Sequence, residues 1–362
     1  MNRYRDTWAE IDLDRLWHNV EETKRLAPHK EIIPVIKANA YGHGAKEIYT
    51  YLIEKGIHSF AVSLLEEALE LREINRNTTL IMMGAISPIH LEVASQNNIQ
   101  ITIHDKQIYD AVIASPYHLK CHLKVDTGMS RYGFREPNQI VEVIKSLQQT
   151  KHIDLVGLYT HFATANDDYD FYLNQLNQFK SILKLTHHLP PMIHISNSSS
   201  TLKYEHLYDF TTHVRLGISL YGLSKDEPKP NLKQVMSLKS KVVTIKELKA
   251  GDAVGYGATY RVKKDEIIAI LPIGYADGFI RKNKVGHVEI NGKLYKIVGI
   301  ICMDAIFIKV DETIKVGDTA TLYGDLITID DIATRLQTIN YEVTCLVSAR
   351  VPRCYIKGGK II

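Results

Sequence analysis

Eight short apolar runs, each followed by a longer amphipathic stretch, recur through the first two thirds of the chain. They occupy residues 32–36, 60–62, 80–83, 100–103, 121–125, 155–160, 192–195 and 213–216. Runs this short, bounded by helical patterns, read as buried strands. Strands alternating with helices call for parallel pairing, with each helix returning across the sheet. Eight such units fill a (β/α)8 TIM-like barrel. A doubly wound parallel sheet satisfies the same pattern, because strand order cannot be read from one sequence. One helix announces its start: Ser63, with Glu66 three residues on, precedes the run 64–71 as a capping box.

The texture changes near residue 235. Short strands at close spacing follow over residues 241–245, 266–271, 287–290, 294–298, 306–310 and 319–323. Asn291-Gly292 joins two of them, the strongest short signal for a type I′ hairpin. At 362 residues the chain is too long for one ordinary core. A barrel over 13–234 and a mostly β domain over 235–362 are therefore expected. No repeat or low-complexity linker separates them, so they should pack firmly. The charge is nearly balanced, at a formal net +3 with no basic block or acidic tail, which argues against nucleic acid or a membrane surface as main partner. Residues 1–8 lack the apolar core of a signal peptide, and no run approaches the roughly 18 apolar residues of a membrane helix. Four cysteines (Cys121, Cys302, Cys345 and Cys354) show no C-x-x-C spacing and are too few to staple such a chain. A soluble, reduced, cytoplasmic protein is the expectation.

In a barrel, residues just past the strands converge on one mouth. Here they are conspicuous. Lys37 ends the first run and is followed by Ala38-Asn39-Ala40-Tyr41-Gly42-His43-Gly44. A partly desolvated amine at that point loses its proton and forms a Schiff base with an aldehyde, whereas the plainer alternative is a solvated lysine leaving a strand. The fifth run ends in Lys124 and continues to Arg131, and the sixth ends before His161. His161 is either a site residue or a satisfied core histidine; sixteen histidines show no H-E-x-x-H or similar spacing, so no metal is expected. The seventh run carries His194 into Ser196-Asn197-Ser198-Ser199-Ser200, and the eighth holds Arg215-Leu216-Gly217-Ile218. Hydroxyls and backbone N–H groups at those two strand ends are where such barrels hold a phosphate, although a serine run is more often a turn or a helix cap. A lysine together with a phosphate site points to pyridoxal 5'-phosphate. Arg215 inside a strand needs a planar acceptor or a ring nitrogen to meet. Tyr256, flanked by Gly255 and Gly257, reads by itself as part of a glycine-rich turn.

Taken together these segments resemble the alanine racemase family, nearly end to end, from Thr7-Trp8-Ala9-Glu10-Ile11-Asp12-Leu13 to Arg350-Val351-Pro352-Arg353. The matching motifs are the lysine loop, Lys124-Val125-Asp126-Thr127-Gly128-Met129, Arg215-Leu216-Gly217-Ile218, Gly255-Tyr256-Gly257-Ala258-Thr259-Tyr260, Pro272-Ile273-Gly274-Tyr275-Ala276-Asp277-Gly278 and Ile301-Cys302-Met303-Asp304. The resemblance implies a pyridoxal-phosphate racemase with an amino-terminal barrel and a carboxyl-terminal β domain that residues 1 to 12 join. It implies that Lys37 carries the cofactor, that Tyr41, Ser198, Gly217 and Ile218 contact its phosphate, and that His161 packs at its ring. Arg215 would meet the pyridine nitrogen, with His194 in support, and Arg131 and Met303 would meet the substrate carboxylate. Lys124 stands where members often carry a carbamylated lysine that orients this arginine. A homodimer is implied, each site completed by the partner's Tyr256. Racemisation requires two bases on opposite faces; the resemblance implies Lys37 for D-alanine and Tyr256 for L-alanine. A hydrogen bond from Tyr256 to His161, backed by Arg215, would favour the phenolate.

Three positions depart from the family pattern. Ala349 replaces a tyrosine between Ser348 and Arg350, Asn166 replaces an aspartate, and Ile300 replaces an arginine before Cys302. Either the rim is tolerant of change, or a wider gate admits serine or another amino acid larger than alanine. Two more distant readings share parts of the plan. Pyridoxal-phosphate decarboxylases of basic amino acids place an acidic residue at the pyridine nitrogen, which Arg215 opposes. A non-enzymatic pyridoxal-phosphate carrier would consist of the barrel alone, which the β domain opposes. Alanine interconversion supplying D-alanine to the cell wall is the expected activity.

Overall fold

The computed structural model describes residues 4–226 and 230–362. Strand β1 (Thr7–Asp12) leads into a helix, and eight parallel strands follow: β2 (Glu31–Pro34), β3 (Ser59–Val62), β4 (Thr79–Met82), β5 (Ile99–Ile103), β6 (Leu119–Lys124), β7 (Ile153–Tyr159), β8 (Met192–His194) and β9 (His213–Leu216). Each corresponds to one apolar run of the sequence. β3 to β8 pair in sequence order and β2 pairs with β9. The Val35–Ala61 bridge and the Ile36 N–H on Ala61 O join β2 to β3. At the other seam Thr212 N–H donates to Ile193 O at 3.0 Å, bringing β8 to β9. The strands thus close into a barrel, the arrangement the sequence left open against a doubly wound sheet.

Register divides the barrel interior. Ile33 lies opposite Arg215, Ala61 opposite Ile81, and Ile81 opposite Gln100. Ile33, Ala61, Ile81 and Met192 pack as a separate apolar cluster inside the ring. The other inward positions, on β5 to β9, carry Gln100, Thr102, His122, Lys124, Tyr159, His194 and Arg215, all buried. The large core of leucines, isoleucines and aromatics lies outside the ring, between strands and helices.

The second sheet has ten strands and recruits β1, which lies antiparallel to β10 (Met236–Lys241) and parallel to Arg353–Lys357. Arg5, just before β1, donates to both Asp277 carboxylate oxygens at 2.5 and 2.6 Å. Residues 7–12 thus lie within the second sheet; residues 1–3 lie outside those described. The expected strand over 241–245 is corrected: the chain breaks after Lys241 and a new strand, Thr244–Leu248, turns to pair with Glu266–Leu271. The hairpin at Asn291-Gly292 has φ of 52° and 79°, the positive pair that a type I′ turn demands. The capping box is also displaced by one residue. The helix is Leu65–Arg72, and Glu67, not Glu66, accepts from the Ser63 and Leu64 N–H groups at 2.8 and 3.0 Å.

Candidate active site

The barrel mouth holds a cavity of about 250 Å³. Lys37, Tyr41, Lys124, Arg131, His161, Ser198, Arg215, Gly217 and Ile218 all line it. His194 lies directly beneath, fully buried and bonded to Arg215. Tyr256 and Met303 do not line it; they are 73% and 51% exposed on the β domain.

Lys37 is presented by an unusual backbone. β2 ends at Pro34, and Ala38, Asn39, Ala40 and Tyr41 all have φ between 51° and 53°. Four non-glycine residues in a left-handed turn cost roughly 1–2 kcal/mol each, so neighbours must hold them. Glu67 does part of this, accepting from Ala38 N–H at 2.6 Å as well as capping its own helix. Asn39 Oδ1 accepts from Ala45 N–H at 2.8 Å, and Arg353 Nε donates to Gly42 O at 3.0 Å. A Cβ on Gly42 would overlap Thr344 O, so the lysine loop and the second domain are seated backbone to backbone. Burial, then the charge of Arg131, pushes the Lys37 proton affinity below the ordinary amine range.

Lys124 ends β6 with its amine 4.6 Å from the Tyr159 ring centre. Burial first, then Arg215 and Arg131, drives its proton affinity far down, which favours the neutral amine. Lys37, Lys124, Arg131 and Arg215 thus line one cavity, which among the described residues no aspartate or glutamate lines. Such a mouth attracts anions.

Arg215 is 3% exposed. Its Nη1 donates to His194 Nδ1 at 2.8 Å and to His194 O at 2.5 Å. Its Nη2 meets Thr160 O at 2.8 Å, Ile195 O at 3.0 Å and His161 Nδ1 at 3.3 Å. The terminal N–H groups are therefore saturated, and Nε–H is the donor left for the cavity. Burial pushes its proton affinity down to about 10, so the guanidinium stays charged at neutral pH. Burial and Arg215, in that order, push His161 and His194 well below the ordinary imidazole range. Since His161 Nδ1 accepts, its one N–H sits on Nε2.

The phosphate-sized end is built from donors. Ser198 Oγ accepts from Gly217 and Ser219 N–H at 3.2 Å each, leaving its own proton to give. Asn197 caps the following helix, Ser198–Tyr204, through Ser200 N–H at 3.0 Å. The serine run is thus a cap and a cavity wall at once. Tyr41, 7% exposed, lines the same end beside Gly217 and Ile218. A pyridoxal phosphate fits these residues: hydroxyls and an N–H for the phosphate, an amine for the aldehyde and Arg215 Nε–H for the ring nitrogen.

Sequence reasoning missed Tyr132, Tyr159 and Tyr341 as wall residues. Tyr159 ends a strand whose last three residues are all buried, where no alternation marks the inward side. Tyr341 comes from the helix Asn340–Cys345 of the second domain and packs 5.9 Å from the Tyr41 ring. No local signal joins residues so far apart. Ala349 and Asn166 are exposed and do not line the cavity, nor does Ile300.

A closed parallel barrel with this cationic mouth, joined to a β-rich second domain, defines an enzyme of the pyridoxal-phosphate-dependent racemase class. The chain belongs to the alanine racemase family: residues 11–225 match "Alanine racemase, N-terminal domain" and residues 235–355 match "Alanine racemase, C-terminal domain". It is 39% identical to alanine racemase of Geobacillus stearothermophilus, over 99% of this chain and 96% of that one. With alanine racemase 1 of Bacillus subtilis the identity is 36%, over 99% and 95%. The crystal structure of alanine racemase from Bacillus anthracis with bound L-Ala-P superposes with a TM-score of 0.93 at 36% identity, covering 100% of this chain and 98% of that one. A histidine racemase from Leuconostoc mesenteroides also superposes, with a TM-score of 0.91 at 30% identity over 98% and 99% of the chains. Fold by itself therefore does not select the substrate side chain.

Proposed function

We propose that this chain interconverts L-alanine and D-alanine in the cytoplasm as a homodimer, supplying D-alanine for the cell wall. The observation that carries this reading is the cavity that joins a Lys37 amine of lowered proton affinity to the guanidinium groups of Arg131 and Arg215, with no carboxylate lining it among the described residues. Pyridoxal phosphate, when bound, supplies the electron sink that makes the substrate Cα–H acidic. Ser198, Tyr41 and the backbone at Gly217 and Ile218 hold its phosphate. Arg215 gives its ring nitrogen a hydrogen bond but no proton, which moderates the sink and disfavours transamination and decarboxylation. Arg131 takes the substrate carboxylate, and a carbamylated Lys124 would orient it. Burial keeps Lys37 ready to accept the Cα proton on one face.

The second base has to approach from the opposite face. Tyr256 stands exposed on a turn whose flanking Gly255 and Gly257 have φ of 68° and 69°. In one chain it meets neither the cavity nor His161. An exposed tyrosine on a rigid turn suits delivery into a second copy's mouth, and Met303 is placed alike. His161, which lines the cavity, would then stabilise the partner's Tyr256 as phenolate through its Nε2–H. Tyr341 on the cavity wall, with Ala349 outside it, favours an alanine-sized site over a widened gate.

The test is complementation. Homodimers of Lys37→Ala and of Tyr256→Phe should both be nearly inactive. Co-expressed chains should recover roughly a quarter of wild-type turnover, because half the dimers are mixed and each carries one intact site. Absence of recovery would overturn the shared site. A chiral assay across a panel of L-amino acids tests the substrate: any other amino acid exceeding alanine in kcat/KM displaces it.

A further inference from the structure

Below the mouth, the polar half of the barrel contains a hydrogen-bond chain whose direction is forced from one end. Arg215 has only donors, so His194 Nδ1 must accept from it, and the His194 proton must sit on Nε2. His194 Nε2 lies 3.0 Å from His122 Nδ1, which therefore accepts in turn. The His122 proton is then on Nε2, and it donates to Gln100 Oε1 at 2.7 Å. His122 and His194 are fully buried and Gln100 is 8% exposed. No site role described above uses His122 or Gln100.

The seat of His122 is built for it. A Cβ on Gly157, the β7 residue in register with His122, would overlap the His122 ring. A strand-interior glycine of this kind marks a close approach. The β6–β7 register also shifts between Cys121 and His122. His194 is held from the other side by the Tyr159 ring, stacked at 4.7 Å and 11°. The Tyr159 hydroxyl in turn shares a hydrogen bond with Thr102 Oγ1 at 2.9 Å. Every ring in the column thus has one orientation and one tautomer.

We propose that Gln100, His122 and His194 form a one-way relay that holds Arg215 as a fixed donor toward the cofactor ring, making His122 and Gln100 positioning residues for the reaction. The assignment rests on the cofactor reading above only for the purpose it gives Arg215; the relay itself is a property of the protein. Its logic predicts a specific weak point at the far end. A carboxylate in place of Gln100 would draw a second proton onto His122. Both His122 nitrogens would then donate, His194 Nε2–H would face a donor, and the disturbance would reach Arg215 through His194 Nδ1.

Long-range 1H–15N correlation spectra of histidine-labelled holoenzyme test this directly, with His122→Asn and His194→Asn spectra identifying the two rings. Both rings should be neutral Nε2–H tautomers at neutral pH. An Nδ1–H tautomer or an imidazolium at either ring overturns the relay, whatever the enzyme's activity. In Gln100→Glu, His122 should become doubly protonated, the visible cofactor band should shift, and kcat should fall about tenfold with KM little changed. Gln100→Leu, which removes the acceptor without adding charge, should cost less than Gln100→Glu. An unchanged His122 tautomer, band and kcat in Gln100→Glu would also overturn the proposal. A wild type that fails to racemise alanine but shows both tautomers refutes the substrate reading and leaves the relay standing.

Discussion

Ile33 and Arg215 sit opposite each other on neighbouring strands, one rung of the same barrel, and they do opposite work. The Ile33 side continues through Ala61, Ile81 and Met192, apolar residues that fill the ring interior by packing. The Arg215 side continues through His194, His122 and Gln100, polar groups whose positions are set by direction-specific hydrogen bonds. Apolar packing tolerates small adjustments, because dispersion has little angular preference. A buried polar column does not, because a group left unpaired there costs its whole desolvation. The barrel keeps its adaptable apolar packing on one side and its rigidly directed polar groups on the other.

The contrast is most exposed at the rung itself. Arg215→Leu removes the donor that His194, His161 and three carbonyls share, so kcat/KM for alanine should fall by at least about a hundredfold. Ile33→Ala should leave kcat within about twofold in the same steady-state assay. Equal losses would erase the functional distinction between the halves. Stability should show the reverse: Ile81→Ala should lose about 2–5 kcal/mol in urea unfolding, through the cavity it opens in the apolar cluster.

Gly157→Ala tests the border between the halves. The added methyl must displace His122, costing about 1–3 kcal/mol by overpacking and lowering kcat in the sense of the relay variants. A variant with unchanged stability would mean that the His122 seat is loose. The pH dependence is a smaller effect. Burial holds His122 down to about 3 in the folded chain, whereas an unfolded histidine titrates near 6.5. The unfolded chain therefore binds the extra proton between those values, and stability rises with pH across them. The His122 contribution is fully present above pH 6.5 and lost as pH falls toward 3. His161 and His194 act in the same sense. His122→Phe should accordingly flatten the fall in unfolding free energy on acidification, and an unaltered slope would contradict the assignment. Least affected should be the rim. Ala349→Tyr is expected to change the ratio of kcat/KM for L-serine to that for L-alanine by less than about threefold, because Ala349 lies outside the cavity. A steep drop in the ratio would restore the wider-gate reading.

Much of the frame was legible because its causes are local. Short β-branched runs declare strands, Asn291-Gly292 declares its turn, and Lys37 is conspicuous because a cation has no packing reason to follow such a run. The errors have local causes too. Glu66 and Glu67 are adjacent carboxylates, and only the helix's actual first turn decides which one reaches back to Ser63. Lys241 to Ile245 looks continuous, since a change of sheet partner leaves no mark on a run of lysine and valine. Tyr341 and Gln100 carried no signal, one arriving from another domain and the other resembling any polar residue in a strand.

The sequence by itself determined the elements, the change from α/β to β near residue 235, and the residue types from which a lysine-centred, anion-binding site is made. These follow from periodicity, turn chemistry and the poor fit of cations to apolar surroundings. Only the tertiary structure decided that the ring closes, that one half of its interior is polar, and that Tyr256 and Met303 lie exposed, outside the lining of their own chain's cavity. It also decided the proton positions on three histidines. Those depend on which donors and acceptors meet between residues 21 to 72 positions apart in the chain, and Arg215, having nothing but donors, sets the direction for all of them.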